Sequence, residues 1–223
     1  MSAPAFGVVF DMDGVLVLSE DAHYASWRET GAARGVEITH RAFLSCFGRV
    51  NADCVPLLFG PVAAEESAAI ADEKERAYRR IVAEAVPLAP GVEALLDGLR
   101  SLGAVLAVGS SAPRENVDLV LDRGGLGPRF TAAVDGGEVR RGKPAPDVFL
   151  LAAERLGLPP ARCVVVEDAP TGVLAAKAAG MPAVGVATTH AEADLFVAGA
   201  AHVAPALADL DPALFARLTG AVR

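Results

Sequence analysis

The feature that most constrains the fold is a regular alternation of short apolar segments with amphipathic segments, from residue 90 onward. Short runs rich in Val and Ala predict strands at 104–108, 132–134, 163–167, 183–186 and 201–203. Helical periodicity and terminal glycines predict helices at 92–102, 114–123, 145–156, 171–179 and 191–198. Strands that alternate with helices in this way form parallel βαβ units with right-handed crossovers. This part of the sequence therefore predicts an α/β fold with a doubly wound, Rossmann-like parallel sheet and helices on both faces.

One further strand is predicted near the N-terminus, where the apolar run Val8-Val9-Phe10 lies between Gly7 and Gly14. The chain does not pass directly from this strand into the alternating pattern, because the residues that follow are helical in character. The predicted helices of this segment lie at 20–34, 41–47, 52–59 and 63–84.

The helical segment predicts a second, smaller domain inserted after the first strand. The expected division is an α/β core of residues 1–16 and 88–223, and an all-helical cap of residues 17–87. Ligands of parallel sheets bind outside the carboxyl ends of the strands. An insert that begins at such a strand end is therefore expected to lie over the active site, in the position of a lid.

Composition argues against several classes of partner. The 223 residues carry a formal net charge of −8, which argues against nucleic acid or an anionic membrane as the main partner. No apolar run approaches the length of a membrane span, and the N-terminus lacks the basic and apolar regions of a secretory signal. Cys46, Cys54 and Cys163 match no metal spacing and fit a reduced compartment. We expect a cytoplasmic protein that is a monomer or a weak homodimer.

Polar side chains lie at the ends of several predicted strands and in one loop before a predicted helix. In a parallel sheet all of these positions can face one crevice. Each group also has an ordinary structural explanation: an acidic turn, a helix cap for the serines and for the Glu-Asp pair, or a surface lysine. The residues are Asp11 and Asp13, Ser110 and Ser111, Lys143, and Glu167 and Asp168.

The joint occurrence of these groups predicts a phosphoryl-transfer site. Three carboxylates at strand ends repel one another unless a divalent cation lies among them. Mg²⁺ prefers a few oxygen ligands together with water and a substrate phosphate. The hydroxyl of Ser110 and the ammonium of Lys143 are suitable partners for a phosphoryl group. One carboxylate can then act as nucleophile, while another protonates the leaving oxygen and later activates water.

Four segments resemble the four motifs of the haloacid dehalogenase superfamily, in the family order and over nearly the whole chain. The resemblance is closest to the subgroup of phosphatases and beta-phosphoglucomutase-like enzymes, whose small helical cap follows the first motif. It implies the same α/β core, with residues 19–84 as the cap. The four segments are Phe10-Asp-Met-Asp-Gly-Val-Leu16, Gly109-Ser-Ser111, Gly142-Lys-Pro-Ala-Pro-Asp147 and Val166-Glu-Asp-Ala-Pro-Thr-Gly-Val173.

The resemblance implies a role for each motif residue. Asp11 would be the nucleophile that forms an aspartyl-phosphate. Asp13 would be the general acid and base, and its presence argues against a dehalogenase or a phosphonatase, which usually lack it. Ser110, with Ser111, would bind the transferring phosphoryl group, and Lys143 would bridge that phosphate and Asp11. The implied Mg²⁺ ligands are Asp11, the backbone carbonyl of Asp13, Asp168, and Glu167 directly or through water.

Two pairs of residues in the predicted cap resemble residues of beta-phosphoglucomutase. His23 and Trp27 lie four positions apart on one predicted helix, as do Lys74 and Tyr78 on another, so each pair shares a face. The resemblance implies that His23 couples cap closure to acid-base chemistry. The alternative is that Trp27 and Tyr78 pack the cap core while His23 and Lys74 are exposed.

The sequence also departs from the mutase pattern. Asn51 stands where the mutase has the arginine that holds the second phosphate of its substrate, and Arg49 lies two positions earlier. In the second motif, the mutase's Ser and Asn positions hold Ala112 and Arg114. Loss of a distal phosphate ligand counts against a mutase, although Arg49 or Arg114 could take over that charge. Leu18, where many relatives have Asp, is expected to alter the cap entry rather than the chemistry.

These observations predict a Mg²⁺-dependent phosphatase that hydrolyses a small phosphorylated metabolite, with sugar phosphates as one candidate class. The alternative enzyme is a beta-phosphoglucomutase-like phosphosugar mutase. A third alternative is a phosphate-receiving signalling module, because response-regulator receiver domains also combine an acceptor aspartate, a hydroxyl, a lysine and Mg²⁺. Receivers carry the acceptor on a later strand and have no cap, so the insert argues against them. The candidate substrate-binding residues are Ser110, Ser111, Lys143, His23, Arg49, Lys74 and Arg114.

Overall fold

A computed structural model describes residues 6–47 and 49–221 of the chain; residues 1–5, 48 and 222–223, which belong to the predicted domain ranges, lie outside the described residues. Its centre is a sheet of six strands. The strands are β1 (Phe6–Phe10), β2 (Ala104–Gly109), β3 (Ala132–Val134), β4 (Cys163–Glu167), β5 (Ala183–Val186) and β6 (His202–Ala204). Every neighbouring pair is parallel, in the order β3-β2-β1-β4-β5-β6. The predicted doubly wound, Rossmann-like parallel sheet is confirmed.

The strand order reverses beside β1. The chain passes from β1 to β2 and on to β3, then returns to the opposite side of β1 to form β4, β5 and β6. Phe10 at the end of β1 is in register with Val108 on one side and with Val166 on the other. Open α/β sheets bind ligands at such a reversal, outside the carboxyl ends of the strands. The residues that follow β1 and β4 therefore lie where this class of fold builds its sites.

The described residues form two compact units, one up to Leu18 and from Leu88 onward, the other Ser19–Pro87. The chain leaves the first unit and returns to it at neighbouring points, because Val17 and Leu88 form an isolated β-bridge. The helices of the Ser19–Pro87 unit are α1 (Glu20–Ala32), α2 (His40–Leu44), α3 (Asn51–Phe59) and α4 (Ala64–Glu84). The helices of the sheet-containing unit are α5 (Val92–Ser101), α6 (Arg114–Arg123), α7 (Asp147–Leu156), α8 (Pro170–Ala178), α9 (Glu192–Ala198) and α10 (Pro212–Leu218).

One apolar core cluster of the sheet-containing unit is formed by strand residues packed against α7, α8 and α9. Val9 and Val165 from adjacent strands lie in one buried cluster with Phe149 and Val173 from the helices. Burying an aliphatic or aromatic side chain of this size contributes about 1.5–3 kcal/mol. Strands β1 and β4 are buried at every position, which explains why their sequences are continuous apolar runs rather than alternating ones.

The Ser19–Pro87 unit is helical, as predicted, and has an apolar core of its own. Trp27 is buried in this core with Phe43, Val55 and Ile70. Core packing, the structural alternative for Trp27, is therefore correct. The corresponding alternative for Lys74, an exposed lysine, is wrong, because this residue is only 2% exposed.

No single helix within residues 6–47 and 49–221 is long and apolar enough to cross a membrane. The pair formed by α3 and α4 passes the same test of length and composition, but the two helices are bent by 103° at the break between them.

The starts of α7 and α1 each have a local explanation in the sequence. Helix α7 begins at Asp147 rather than at residue 145, because Pro144 and Pro146 disfavour the helical conformation in the residues that precede them. Ser19 occupies the N-cap position of α1, but its side chain makes no capping hydrogen bond with the helix. The first turn of α1 instead carries two acidic residues, which interact favourably with the helix dipole.

Candidate active site

Three carboxylates converge at the carboxyl ends of β1 and β4. Asp11 follows β1 directly, Glu167 is the last residue of β4, and Asp168 comes next. One oxygen atom from each of the three side chains lies within 4.8 Å of the others, and all three residues are buried. Their proximity follows from the parallel pairing of β1 with β4. Buried carboxylates this close repel one another, so the site requires compensating positive charge.

Lys143, from the loop before α7, supplies one positive charge. Its Nζ donates to Oδ1 of Asp11 at 2.7 Å and to Oε1 of Glu167 at 2.6 Å. The Lys143 side chain is only 8% exposed, and Nζ lies 4.9 Å from the centroid of the Phe149 ring. The structural alternative for Lys143, a lysine on the surface, is therefore wrong. One ammonium group does not balance three ionised carboxylates.

The imbalance of charge appears in the pKa values. Burial raises the pKa of Asp11 to about 7; Lys143 opposes this shift, and Glu167 adds to it. Burial likewise raises the pKa of Asp168 well above its ordinary range, and the carboxylates of Glu167 and Asp11 add to that effect. Burial alone would lower the pKa of Lys143, but the two carboxylates that it contacts outweigh burial and raise it. The metal-free site thus favours protonated carboxyl groups.

The set of donor atoms fits a hard divalent cation. Three carboxylate oxygens are available from different points of the backbone, and hard cations such as Mg²⁺ and Ca²⁺ are bound by oxygen ligands of this kind. A cation among them would offset the burial and the mutual repulsion that together raise the pKa values of Asp11 and Asp168. Among residues 6–47 and 49–221, this is the one group of three or more His, Cys, Asp or Glu side chains with ligand atoms so close.

Two glycines make room for the carboxylates. Gly14 adopts a φ of +77°, and a Cβ at this position would lie 2.0 Å from Oδ2 of Asp168. Gly172 lies in α8, where a Cβ would lie 1.8 Å from Oε1 of Glu167. Cβ atoms essentially never approach other heavy atoms within 3.0 Å. A side chain at either position therefore displaces a carboxylate, which ties both glycines to the geometry of the site.

Glu167 is fixed by contacts to both of its carboxylate oxygens. Oε1 accepts from Lys143, and Oε2 accepts from the backbone N–H groups of Asp168 and Ala169, both at 2.9 Å. Helix α8 has no side-chain cap at its N-cap residue, Ala169. The Glu167 side chain nevertheless bonds the backbone N–H of that N-cap residue. The structural alternative, capping of α8, therefore holds in part for Glu167, beside its contact with Lys143.

Asp168 is held by a residue that the sequence analysis missed. The hydroxyl of Thr189 donates to Oδ2 of Asp168. Nδ1 of His190 lies 2.9 Å from this hydroxyl and 3.2 Å from the backbone oxygen of Asp168. Thr189 follows β5, which pairs with β4. That position at a strand end was the available signal, but a single threonine in a loop has no distinctive sequence pattern.

Ser110 lies directly after β2, which pairs with β1. It is buried, and its Oγ accepts from the backbone N–H of Ala112 at 3.0 Å. Ser111 is exposed. Helix α6 begins later, after Pro113, and has no side-chain cap, so capping does not account for either serine. Asp13 is partly buried, and its charge contributes to the raised pKa of Asp11.

The remaining predicted substrate residues fall into two groups. In the helical unit, Nζ of Lys74 lies 2.8 Å from Nδ1 of His23. Arg49 and Arg114 are both exposed. Arg114 forms an ion pair at 2.9 Å with Asp118, one turn later in α6, which is an ordinary arrangement on a helix surface. Contact of any of these four residues with substrate stays a prediction.

Comparison with known proteins gives consistent matches along most of the chain. Residues 7–180 match the family described as haloacid dehalogenase-like hydrolase. The chain is 35% identical over 183 residues to fructose-1-phosphate phosphatase YqaB of Escherichia coli (strain K12), covering 81% of this chain and 95% of that protein. It is 32% identical over 187 residues to beta-phosphoglucomutase of Bacillus subtilis (strain 168), covering 80% and 82%. The structure resembles the crystal structure of beta-phosphoglucomutase from Clostridium difficile, with a TM-score of 0.84, 25% identity and 96% coverage of both chains.

Proposed function

Because the chain belongs to the family of haloacid dehalogenase-like hydrolases, we propose that it is a Mg²⁺-dependent phosphatase acting on a small phosphorylated sugar through an aspartyl-phosphate. The resemblance predicted from the four motifs is confirmed by the family match. The chain is a hydrolase, and its phosphatase relatives are consistent with a phosphoric monoester hydrolase.

The observation that carries the proposal is the bridge that Lys143 forms between Asp11 and Glu167, beside Asp168. A carboxylate that attacks a phosphate ester is repelled by the anionic oxygens of the ester. Positive charge on both sides of the nucleophile offsets this repulsion. Lys143 provides one such charge, and the three carboxylates fit a divalent cation that would provide the other.

Asp11 is the proposed nucleophile. The hydrogen bond from Lys143 to Oδ1 fixes the orientation of its carboxylate. In the first step a carboxylate oxygen of Asp11 forms a bond to phosphorus, the bond from phosphorus to the sugar oxygen breaks, and Asp13 gives its proton to that oxygen. In the second step Asp13 takes a proton from water, which attacks phosphorus and releases phosphate with the Asp11 carboxylate restored.

The other polar residues are proposed to hold the transferring group. Ser110 would donate to a phosphoryl oxygen, and Lys143 would contact a second one while it remains on Asp11. Asp11, Glu167, Asp168 and the backbone carbonyl of Asp13 would bind Mg²⁺. When bound, the ion would supply electrostatic stabilisation of the phosphoryl oxygens.

The relatives support a sugar phosphate as substrate and also support the second candidate, a phosphosugar mutase. One relative is named a fructose-1-phosphate phosphatase and another a beta-phosphoglucomutase. Two contacts favour the phosphatase. Asn51, at the position of the mutase's phosphate-holding arginine, donates to Oε1 of Glu75 at 2.7 Å, and Lys74 is paired with the same carboxylate at 2.8 Å. The Lys74–Glu75 pair has no net charge and is thus poorly suited to hold a second phosphate.

A screen of phosphorylated sugars for release of inorganic phosphate, with and without Mg²⁺, tests the proposal. We expect release that requires Mg²⁺ and is lost in Asp11→Asn. Glucose 1-phosphate separates the two enzymes, because a mutase converts it into glucose 6-phosphate whereas a phosphatase releases phosphate. Predominant formation of glucose 6-phosphate would favour the mutase. Failure to release phosphate from any ester would contradict the proposed function.

A further inference from the structure

A partly buried chain of hydrogen bonds joins three helices of the Ser19–Pro87 unit. Nζ of Lys74 on α4 lies 2.8 Å from Nδ1 of His23 on α1. The same Nζ donates to Oε1 of Glu75 at 2.8 Å. That oxygen also accepts from Nδ2 of Asn51 on α3, at 2.7 Å. Lys74 is 2% exposed and Glu75 is 7% exposed. A buried ion pair is often no more stabilising than apolar residues of the same size, so stability alone does not account for this one.

Contact with Lys74 determines which nitrogen of His23 accepts a hydrogen bond. A lysine ammonium has three donors and no acceptor. Nδ1 of His23 must therefore accept, and the neutral ring carries its hydrogen on Nε2. The orientation of the ring is also restricted, because it stacks on Tyr78 with centroids 4.1 Å apart and planes inclined by 12°. The Phe47 ring packs near it, with centroids 5.9 Å apart.

The opposite distribution of protons would make the His23 ring a charged imidazolium with hydrogen on Nδ1. If Lys74 were a neutral amine, its nitrogen could accept from Nδ1–H of a charged imidazolium. The environment of Nζ disfavours that state, because the Glu75 carboxylate touches it directly and stabilises an ammonium. The rings of Trp27 and Tyr78, with centroids 5.6 Å and 5.3 Å from Nζ, also favour a cation.

We propose that Glu75 is a positioning residue: it keeps the positive charge on Lys74 and thereby holds His23 as the neutral Nε2–H tautomer. Asn51 fixes the Glu75 oxygen that contacts Lys74. The consequence for catalysis rests on the proposed function and on the prediction that His23 binds substrate, to which its Nε2–H group would then donate. The tautomer itself rests on neither of them.

Nitrogen-15 NMR of the full chain with labelled histidine tests the proposal directly. The chain has four histidines, and the signals of His23 are identified by their loss in His23→Gln. At neutral pH the wild-type protein is expected to show His23 as a neutral ring with hydrogen on Nε2. Observation of an Nδ1–H tautomer or of an imidazolium would overturn the proposal without any further variant.

Three variants then separate positioning from folding. Glu75→Gln keeps the shape of the side chain but removes its charge, and we expect mixed tautomers or an imidazolium at His23. Asn51→Ala should produce a smaller change in the same direction. Glu73→Gln is the matched control, because Glu73 lies on the same helix and pairs with Arg34; its His23 signals should match those of the wild type. Unchanged His23 signals in a folded Glu75→Gln variant would contradict the proposal.

Kinetics provide an independent readout. On a sugar phosphate that the wild type hydrolyses, Glu75→Gln should lower kcat/KM by about tenfold, which is the loss of one hydrogen bond to the reacting substrate. Glu73→Gln should leave kcat/KM unchanged. If no phosphate ester is hydrolysed, the proposed function fails while the NMR result still decides the role of Glu75.

Discussion

At the scale of single residues, Gly172 shows how closely the backbone of α8 passes the carboxylates. A Cβ at this position would lie 1.8 Å from Oε1 of Glu167, the atom that accepts from Lys143. We therefore predict that Gly172→Ala displaces Glu167 from Lys143. Overpacking of this kind costs about 1–3 kcal/mol of stability, and a displacement of about 1 Å at a catalytic group costs about a hundredfold in kcat.

Urea unfolding and steady-state kinetics measure the two effects. Gly127→Ala is the matched control, because the nearest atom to a Cβ there is a backbone oxygen at 3.7 Å, an ordinary contact. Wild-type stability and activity in Gly172→Ala would mean that Glu167 does not occupy this position in solution.

A second prediction for a single residue concerns Thr189. Its hydroxyl donates to Oδ2 of Asp168, and residues that orient a metal ligand in this way typically contribute 10–100-fold to metal affinity. Thr189→Val should therefore weaken Mg²⁺ binding by about tenfold or more. The measurement is a titration of the unfolding temperature with Mg²⁺, in which the variant should need about tenfold more Mg²⁺ than the wild type for the same increase. Thr219→Val, which removes a hydroxyl at the end of α10, should leave Mg²⁺ binding unchanged. Equal Mg²⁺ affinity in both variants would exclude a role for Thr189.

Most of the site residues that sequence reasoning identified stand at the end of a predicted strand. Parallel pairing brings Asp11, Glu167 and Asp168 together for that reason. Glu75 and Thr189 were missed because their roles depend on which side chain they face after folding. Adjacent residues of a helix, such as Lys74 and Glu75, normally point apart, so their shared contact was not predictable. The catalytic roles themselves remain predictions.

At the scale of elements, Arg155 ties α7 to the segment that follows β3. Its guanidinium donates to the backbone oxygen of Ala133 at 2.6 Å and to Oε2 of Glu138 at 3.1 Å. Glu138 in turn closes a capping box with Asp135. The guanidinium of Arg155 is the main cause that lowers the pKa of Glu138 to about 2. The loop that carries Lys143 runs between this anchor and α7.

We predict that Arg155→Met loosens the loop at 139–146 without unfolding the sheet. Loss of a partly exposed ion pair costs about 1 kcal/mol or less, but hydrogen exchange should accelerate in that loop and kcat should fall several-fold as Lys143 becomes less ordered. Arg100→Met, at an exposed position on α5, serves as the control. Unchanged exchange at 139–146 would refute the anchoring role.

The strands were easier to predict from the sequence than the helices were. The bounds predicted for the strand at 163–167 agree with the observed β4, because buried β-branched runs have clear ends. Helix α10 was missed although Pro212 stands at its first turn and Asp211 accepts from the backbone N–H of Ala213. These are ordinary signals of a helix start, so the sequence does contain the information that predicts this helix of seven residues. The strand order was not predictable, because periodicity does not determine which strands pair.

At the scale of the whole molecule, the charge of the site should couple metal binding to stability. In the metal-free protein the pKa of Asp11 is raised from 3.8 to about 7. The folded state then binds more protons than the unfolded state between pH 4 and 7, so the stability that Asp11 contributes is lost as pH rises through this range. For the metal-free protein, the resulting loss of unfolding free energy amounts to at most about 4 kcal/mol at pH 8. Bound Mg²⁺ would offset it.

Thermal unfolding with EDTA or with Mg²⁺, from pH 5 to 8, tests this coupling. We predict that Mg²⁺ raises the unfolding temperature more at pH 8 than at pH 5. Metal-free Asp11→Asn should be more stable than the metal-free wild type at pH 8, and the gap should close toward pH 5. A wild-type protein whose response to Mg²⁺ is the same at both pH values would contradict the charge account of the site.

Detection of phosphoryl groups on Asp11 tests the proposed function most directly. Asp13→Asn removes the group that activates water, so it should slow breakdown of the aspartyl-phosphate at least as much as its formation. This variant is mixed with Mg²⁺ and a sugar phosphate that the wild type hydrolyses, then digested and analysed by mass spectrometry. We predict a phosphoryl group on the peptide that contains Asp11, removable by hydroxylamine and absent when Asp11 is also changed to Asn. Phosphate release by Asp11→Asn at a rate near that of the wild type would contradict the account.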